Sequence, residues 1–197
     1  SHYGSWTGAA TLSEGNTKIT QAAAAYDGYA AGIPIPTTGK WGFKFTILGA
    51  VSGSNDGIVG IGANSTGMGQ PTSGQGNPST PHWYDAVGAF YADGSIRKTI
   101  SGSGSTHSSG AGTSATNDYF EYLVDRDAGT VDIKRNGSTY GTQVASFPAT
   151  HPVWPFATFY STSGQFDFGQ FGYTPSDSSY SALATQNLPA ATIDVPS

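Results

Sequence analysis

Residues 40–48 alternate strictly, with Trp41, Phe43, Phe45 and Ile47 on one face and Lys44 and Thr46 on the other. A period of two over that length predicts a strand with one buried face. The turn-rich Ser52-Gly-Ser-Asn-Asp-Gly57 follows, then the short apolar run Ile58-Val-Gly-Ile61, which fits a central strand buried on both faces. These two strands are expected to pair. Residues 63–81 carry no periodicity, and 101–117 are almost wholly Ser, Gly, Thr and Ala, so both read as long loops, the second mobile. Between them, residues 86–91 and 95–100 flank Ala92-Asp93-Gly94, a hairpin turn. In 119–125, Phe120, Tyr122 and Val124 alternate with Glu121 and Leu123; the chain then turns at Asp127-Ala-Gly129 into 131–135 and again at Asn136-Gly137, forming a β-meander. The last strands are 154–160 and 165–168.

Helix has one weak candidate, the run Gln21-Ala-Ala-Ala-Ala25, which Asp27-Gly28, Pro34 and Pro36 cut to a single turn. No internal repeat is visible. Roughly eight to twelve short strands in one chain predict an all-β fold, a two-sheet antiparallel β-sandwich. Residues 3–174 are expected to form this domain, with 175–197 as an extended Pro-rich C-terminal tail.

Composition agrees, because 28 Gly, 11 Tyr and 10 Phe suit strands joined by tight turns. The absence of Cys removes thiolate chemistry and Cys-ligated metal sites. Eight basic residues against 13 acidic, a net charge of −5, argue against nucleic acid, whose phosphates call for a clustered basic face. No apolar run reaches the roughly 18 residues of a membrane span, and no basic region precedes an apolar one, so no membrane insertion is expected and the chain reads as soluble and processed. Ser1-His2 matches the scar of a cleaved affinity tag and is set aside.

The order of motifs resembles that of SPRY domains, bent sandwiches of the concanavalin kind with jelly-roll topology. The resemblance covers about residues 9–174. It is carried by Ala10-Thr-Leu-Ser-Glu-Gly-Asn16, Gly39-Lys-Trp-Gly-Phe-Lys-Phe45, Val59-Gly-Ile-Gly62, the meander from Asn117 to Asn136-Gly137, and Pro155 with Phe168-Gly169. Lys44 stands where the family usually has an acidic residue, and residues 67–81 form a longer loop than usual, so the family's binding positions are not carried over. Residues 180–193 resemble the segment that follows SPRY domains in bacteriophage virion and tail-associated proteins. That resemblance implies a virion or extracellular location and a phage structural protein.

Catalytic constellations are missing from the sequence. The only glutamates, Glu14 and Glu121, cannot form the paired-carboxylate strand motif of a retaining glucanase. Asp125 and Asp127 share a strand spacing, but Asp127 enters a turn, where Asp commonly accepts backbone hydrogen bonds. No nucleophile elbow or phosphate loop occurs. His2, His82, His107 and His151 are scattered, and Asp56 lies in no run of alternating Asp or Asn, so neither a metal nor any other cofactor is expected. Trp41 and Trp154 are expected in the core, and Arg97, Lys98, Lys134 and Arg135 at solvated strand positions. Asn64 and Asn136 fit the glycosylation pattern, which a viral source leaves bare.

The candidate binding residues are His82, Trp83, Tyr84 and Asp85 in Pro81-His-Trp-Tyr-Asp85, with His107 in the second loop. Aromatic faces stack on sugar rings or anchor protein interfaces, and Asp or His adds directional hydrogen bonds. An alternative is that Trp83 or Tyr84 begins the next strand and packs in the core. The expected function is non-catalytic recognition of a host-surface glycan or protein. The rivals are binding to another virion protein in assembly, with homo-oligomerisation open, and a lyase or hydrolase using Tyr84, His107 and Arg97.

Overall fold

Alternating apolar residues need a second sheet to bury them, and that requirement organises the molecule. The computed structural model describes residues 10–15, 17–21, 27–51, 57–64, 83–90, 93–108, 112–159, 162–184 and 187. In chain order the strands are β1 (Ala10–Ser13), β2 (Lys18–Gln21), β3 (Asp27–Ala30), β4 (Lys40–Ile47), β5 (Gly57–Asn64), β6 (Trp83–Phe90) and β7 (Ile96–Ile100). There follow β8 (Ser103–Ser108), β9 (Tyr119–Asp125), β10 (Thr130–Arg135), β11 (Ser138–Thr139), β12 (Trp154–Phe159), β13 (Ser163–Asp167) and β14 (Ser181–Ala182).

They build two sheets. One runs β1-β2-β13-β4-β9-β10-β11, with β14 added in parallel to the start of β4; the other runs β3-β12-β5-β6-β7-β8. Every other pairing is antiparallel, as in the expected sandwich. The inner faces meet in one aromatic core, where Phe43 stacks on Tyr122 at 5.1 Å and Phe45 meets Phe166 edge-on at 4.9 Å. Tyr122 also ties the sheets together. Its hydroxyl donates to the Val59 carbonyl at 2.6 Å and accepts the Ala89 N–H at 3.1 Å, and burial pushes its pKa up.

Several expectations need correction. The strands β4 and β5 do not pair: β4 lies between β13 and β9, and β5 between β12 and β6. Both bury a face in the same core, so the segment between them crosses from one sheet to the other. Residues 103–108 form β8 rather than a mobile loop, because the open backbone edge of β7 accepts a partner whatever its side chains. Residues 112–118 are held by Arg135, which is not solvated. Its guanidinium donates to Asp118 at 2.6 Å, to the Gly112 carbonyl at 3.1 Å and to that of Thr113 at 2.8 Å. Trp154 is half-buried rather than in the core, on the same face of β12 as Phe156. Trp41 is buried, with its indole N–H on the Thr38 carbonyl. Residues 22–25 of the helix candidate lie outside the described residues.

Residues 176–184 lie on the sandwich. Leu183 is fully buried and its N–H donates to the Gly42 carbonyl at 2.8 Å. A Cβ at position 42 would stand 2.6 Å from the Tyr173 hydroxyl and 3.1 Å from Pro175, so only glycine lets the segment pass this close.

Candidate recognition site

The register of the strands brings connections from both sheets to one end of the sandwich. Asn64 pairs with Trp83 where β5 ends and β6 begins, so both ends of the 65–82 segment are anchored there. Beside them, Gly102 in the β7–β8 turn donates to the Tyr84 carbonyl at 2.8 Å. The large sheet supplies the β9–β10 turn, in which Arg126 donates its backbone N–H to the Gly39 carbonyl and its Nη2 to the His151 carbonyl at 2.6 Å.

Asp85 locks this end from inside. It is fully buried; Oδ1 accepts the Ser101 N–H at 2.8 Å, and Oδ2 lies 3.2 Å from His151 Nε2, close but not aligned for a hydrogen bond. Arg126, 2% exposed, packs over the Phe147 ring at 5.4 Å; burial pushes its pKa down to about 10, opposed by the Asp85 charge. The Asp85 charge acts on Arg126 at a distance, without an ion pair between them, and Arg126 Nε and Nη1 are buried without a hydrogen-bond partner. Outside this lock, Tyr84 is half-buried with its ring 5.7 Å from that of His151. Of the described candidates at this end, Asp85 is buried and Tyr84 keeps exposed surface. His82 and the Trp83 side chain lie outside the described residues.

His107 is not part of the group. It sits in β8 near Ile96 and Arg97, its Nε2 3.2 Å and 3.1 Å from the carbonyls of Thr142 and Gln143, whereas Tyr84 lies beyond the Ala86–Thr99 pair at the other end of these strands. Arg97 faces Gly88 and Thr106 across the sheet, so Tyr84, His107 and Arg97 do not converge on one reacting centre. Asp125 and Asp127 work as turn caps. Asp125 Oδ1 accepts the N–H groups of Asp127 and Ala128 and its Oδ2 pairs with Lys40 at 2.9 Å, while Asp127 accepts the Gly39 N–H. Among the described residues, no group of three His, Asp or Glu is placed to hold a metal ion.

Sequence reasoning missed Glu121. It is 3% exposed on the outer face of β9, and its carboxylate accepts the Tyr173 hydroxyl at 2.9 Å, the Ser176 N–H at 2.8 Å and the Ser176 hydroxyl. Leu123, on the same face of β9, was the available signal, since an apolar residue between Glu121 and Asp125 implies that something covers that face.

No protein-family model matches the chain, and no curated protein matches its sequence. Its fold, however, is similar to solved SPRY domains. The SPRY domain of human HERC1 superposes with a TM-score of 0.60 at 15% identity, covering 80% of this chain and 91% of that one. The PSpry domain of TRIM65 superposes at 0.52 with 8% identity, covering 80% and 84%. The chain therefore has the SPRY fold.

Proposed function

We propose that the chain is a non-catalytic recognition module of a phage particle that binds a host-surface glycan or protein through the sandwich end holding Tyr84. The observation that carries this reading is the buried Asp85, which fixes the base of an end where connections from both sheets meet around an aromatic that keeps exposed surface. A rigid scaffold presenting long connections is the usual arrangement of a binding surface. The SPRY fold supports recognition over chemistry, and the likeness of residues 180–193 to segments of phage virion proteins supplies the setting. Assembly through an apolar sandwich face has less support: among the described residues Phe171, 51% exposed, is the one exposed large apolar side chain, far from a contiguous patch.

The test is binding of the full chain to a glycan array and to intact candidate host cells, with Tyr84→Ala and Trp83→Ala compared at equal folded fraction. The reading expects a specific wild-type signal that falls at least tenfold, about 1.4 kcal/mol, in Tyr84→Ala, with Trp83→Ala showing whether the neighbouring aromatic shares the contact. Absence of wild-type binding to sugars and cells alike would move the function to assembly inside the particle.

A further inference from the structure

A second candidate site lies on the outer face of the large sheet, away from Tyr84. There Lys44 of β4, Tyr119 and Glu121 of β9, Gly137 of the β10–β11 turn and Gly172, Tyr173, Thr174 and Ser176 line an open groove of about 410 Å³. That volume falls within the roughly 300–1,000 Å³ of small-ligand sites.

Its polar groups fall into two sets. Glu121 is spent, its oxygens taken by Tyr173 and Ser176, and Ser176 also accepts from Lys134 Nζ at 2.6 Å. The Tyr119 phenol and the Thr174 hydroxyl are not, and Lys44 is held only by a longer ion pair to Asp167. The Lys44 ammonium stands 6.0 Å from the Tyr119 ring centre and 5.9 Å from that of Tyr173, with Asp167 3.6 Å away, beyond hydrogen-bond reach. Among the described residues these three side-chain groups have no hydrogen-bond partner. An ammonium with three donors, a phenol and an aliphatic hydroxyl on residues that line one groove suit a ligand with several hydroxyls.

Charge narrows the class. Lys44 and Lys134 stand beside Glu121 and Asp167, so the site is balanced and an anion would gain little there. Ring surface from Tyr119 adds the apolar wall that sugar rings pack against. Gly137 and Gly172 have no side chains to close the mouth.

We propose that the groove between Lys44, Tyr119 and Thr174 binds one neutral sugar ring, independently of the surface around Tyr84. The isotope-labelled full chain is titrated with methyl glucoside, methyl galactoside and N-acetylglucosamine, following amide resonances. At least one sugar is expected to shift Lys44, Tyr119, Gly137, Gly172 and Thr174 saturably. Lys44→Met should weaken that binding at least tenfold, and Tyr119→Phe and Thr174→Ala severalfold each, while Tyr84→Ala leaves it unchanged. Thr174 is exposed, so Thr174→Ala keeps the measurement interpretable should Lys44→Met fail to fold. The proposal is overturned by no saturable shift with any of the three sugars, by shifts centred on Tyr84 and Ser101, by indifference to Tyr119→Phe and Thr174→Ala, or by an uncharged dipeptide amide saturating the groove at lower concentration than the sugars.

Discussion

Asp85 stands beside the aromatics of a candidate binding loop yet spends its carboxylate inside the protein, on the Ser101 N–H and opposite His151 and Arg126. On the proposed function, its contribution is to hold the strand start that carries Tyr84. Asp85→Asn should therefore destabilise the fold by about 1–3 kcal/mol in urea unfolding, because it weakens the buried acceptor of the Ser101 N–H and removes the charge that opposes the desolvation of Arg126. A change within 0.5 kcal/mol, about the scatter of surface substitutions, would place Asp85 at the surface instead. Asp125 makes a different prediction. Burial pushes its carboxyl up, but the Ala128 N–H and Lys40 more than reverse this and hold it below the ordinary 3.8. A depressed folded value stabilises the fold above pH 3.8, and that contribution is lost as pH falls through the lower folded value. In a carboxyl-carbon titration, Lys40→Met should move the Asp125 midpoint upward; an unmoved midpoint would remove Lys40 from the account. The sequence offered Asp85 as a ligand-binding residue because its spacing beside Trp83 and Tyr84 is visible, whereas Arg126 and His151 reach it only through the fold.

At the scale of elements, alternation found β4 and β9, and turn residues found the β6–β7 hairpin and the β9–β10 turn, since each of these signals is carried by the element's own residues. It failed where an element owes its place to a neighbour. The side chains of β8 carry almost no apolar signal, and its strand exists because β7 has an open edge; β14 depends on Glu121 and Gly42 far upstream. The pairing of β4 with β5 was wrong because nearness in sequence says nothing about a crossing between sheets. The segment from Tyr173 to Leu183 should consequently open as a unit when its anchor is cut. Glu121→Gln is expected to cost about 1–3 kcal/mol by weakening the acceptor of three hydrogen bonds. In hydrogen exchange, Leu183 should lose protection in this variant while Tyr122 and Val124 keep theirs. Equal loss throughout would mean that the segment has no separate opening. The same logic makes Arg135→Ala release residues 112–118 without disturbing β10, read as faster exchange at Ala115 and Asp118.

For the molecule as a whole, two sheets clamped by Tyr122 and the aromatic core form a rigid body that holds one end fixed from inside. The fold class was readable because β4 and β9 alternate, the other strands are bounded by turn residues, and the motif order pointed to the same sandwich. The site was readable only in part: the aromatic pair at 83–84 stood out, while the carboxylate lock behind it and the groove around Lys44 arise from residues distant in sequence. The central claim is that the end holding Tyr84 does the recognising, and binding to intact host cells with wild type, Tyr84→Ala and Lys44→Met side by side tests it most directly. The account predicts that Tyr84→Ala loses at least tenfold in cell binding at equal folded fraction. Wild-type binding that Tyr84→Ala leaves intact would contradict it.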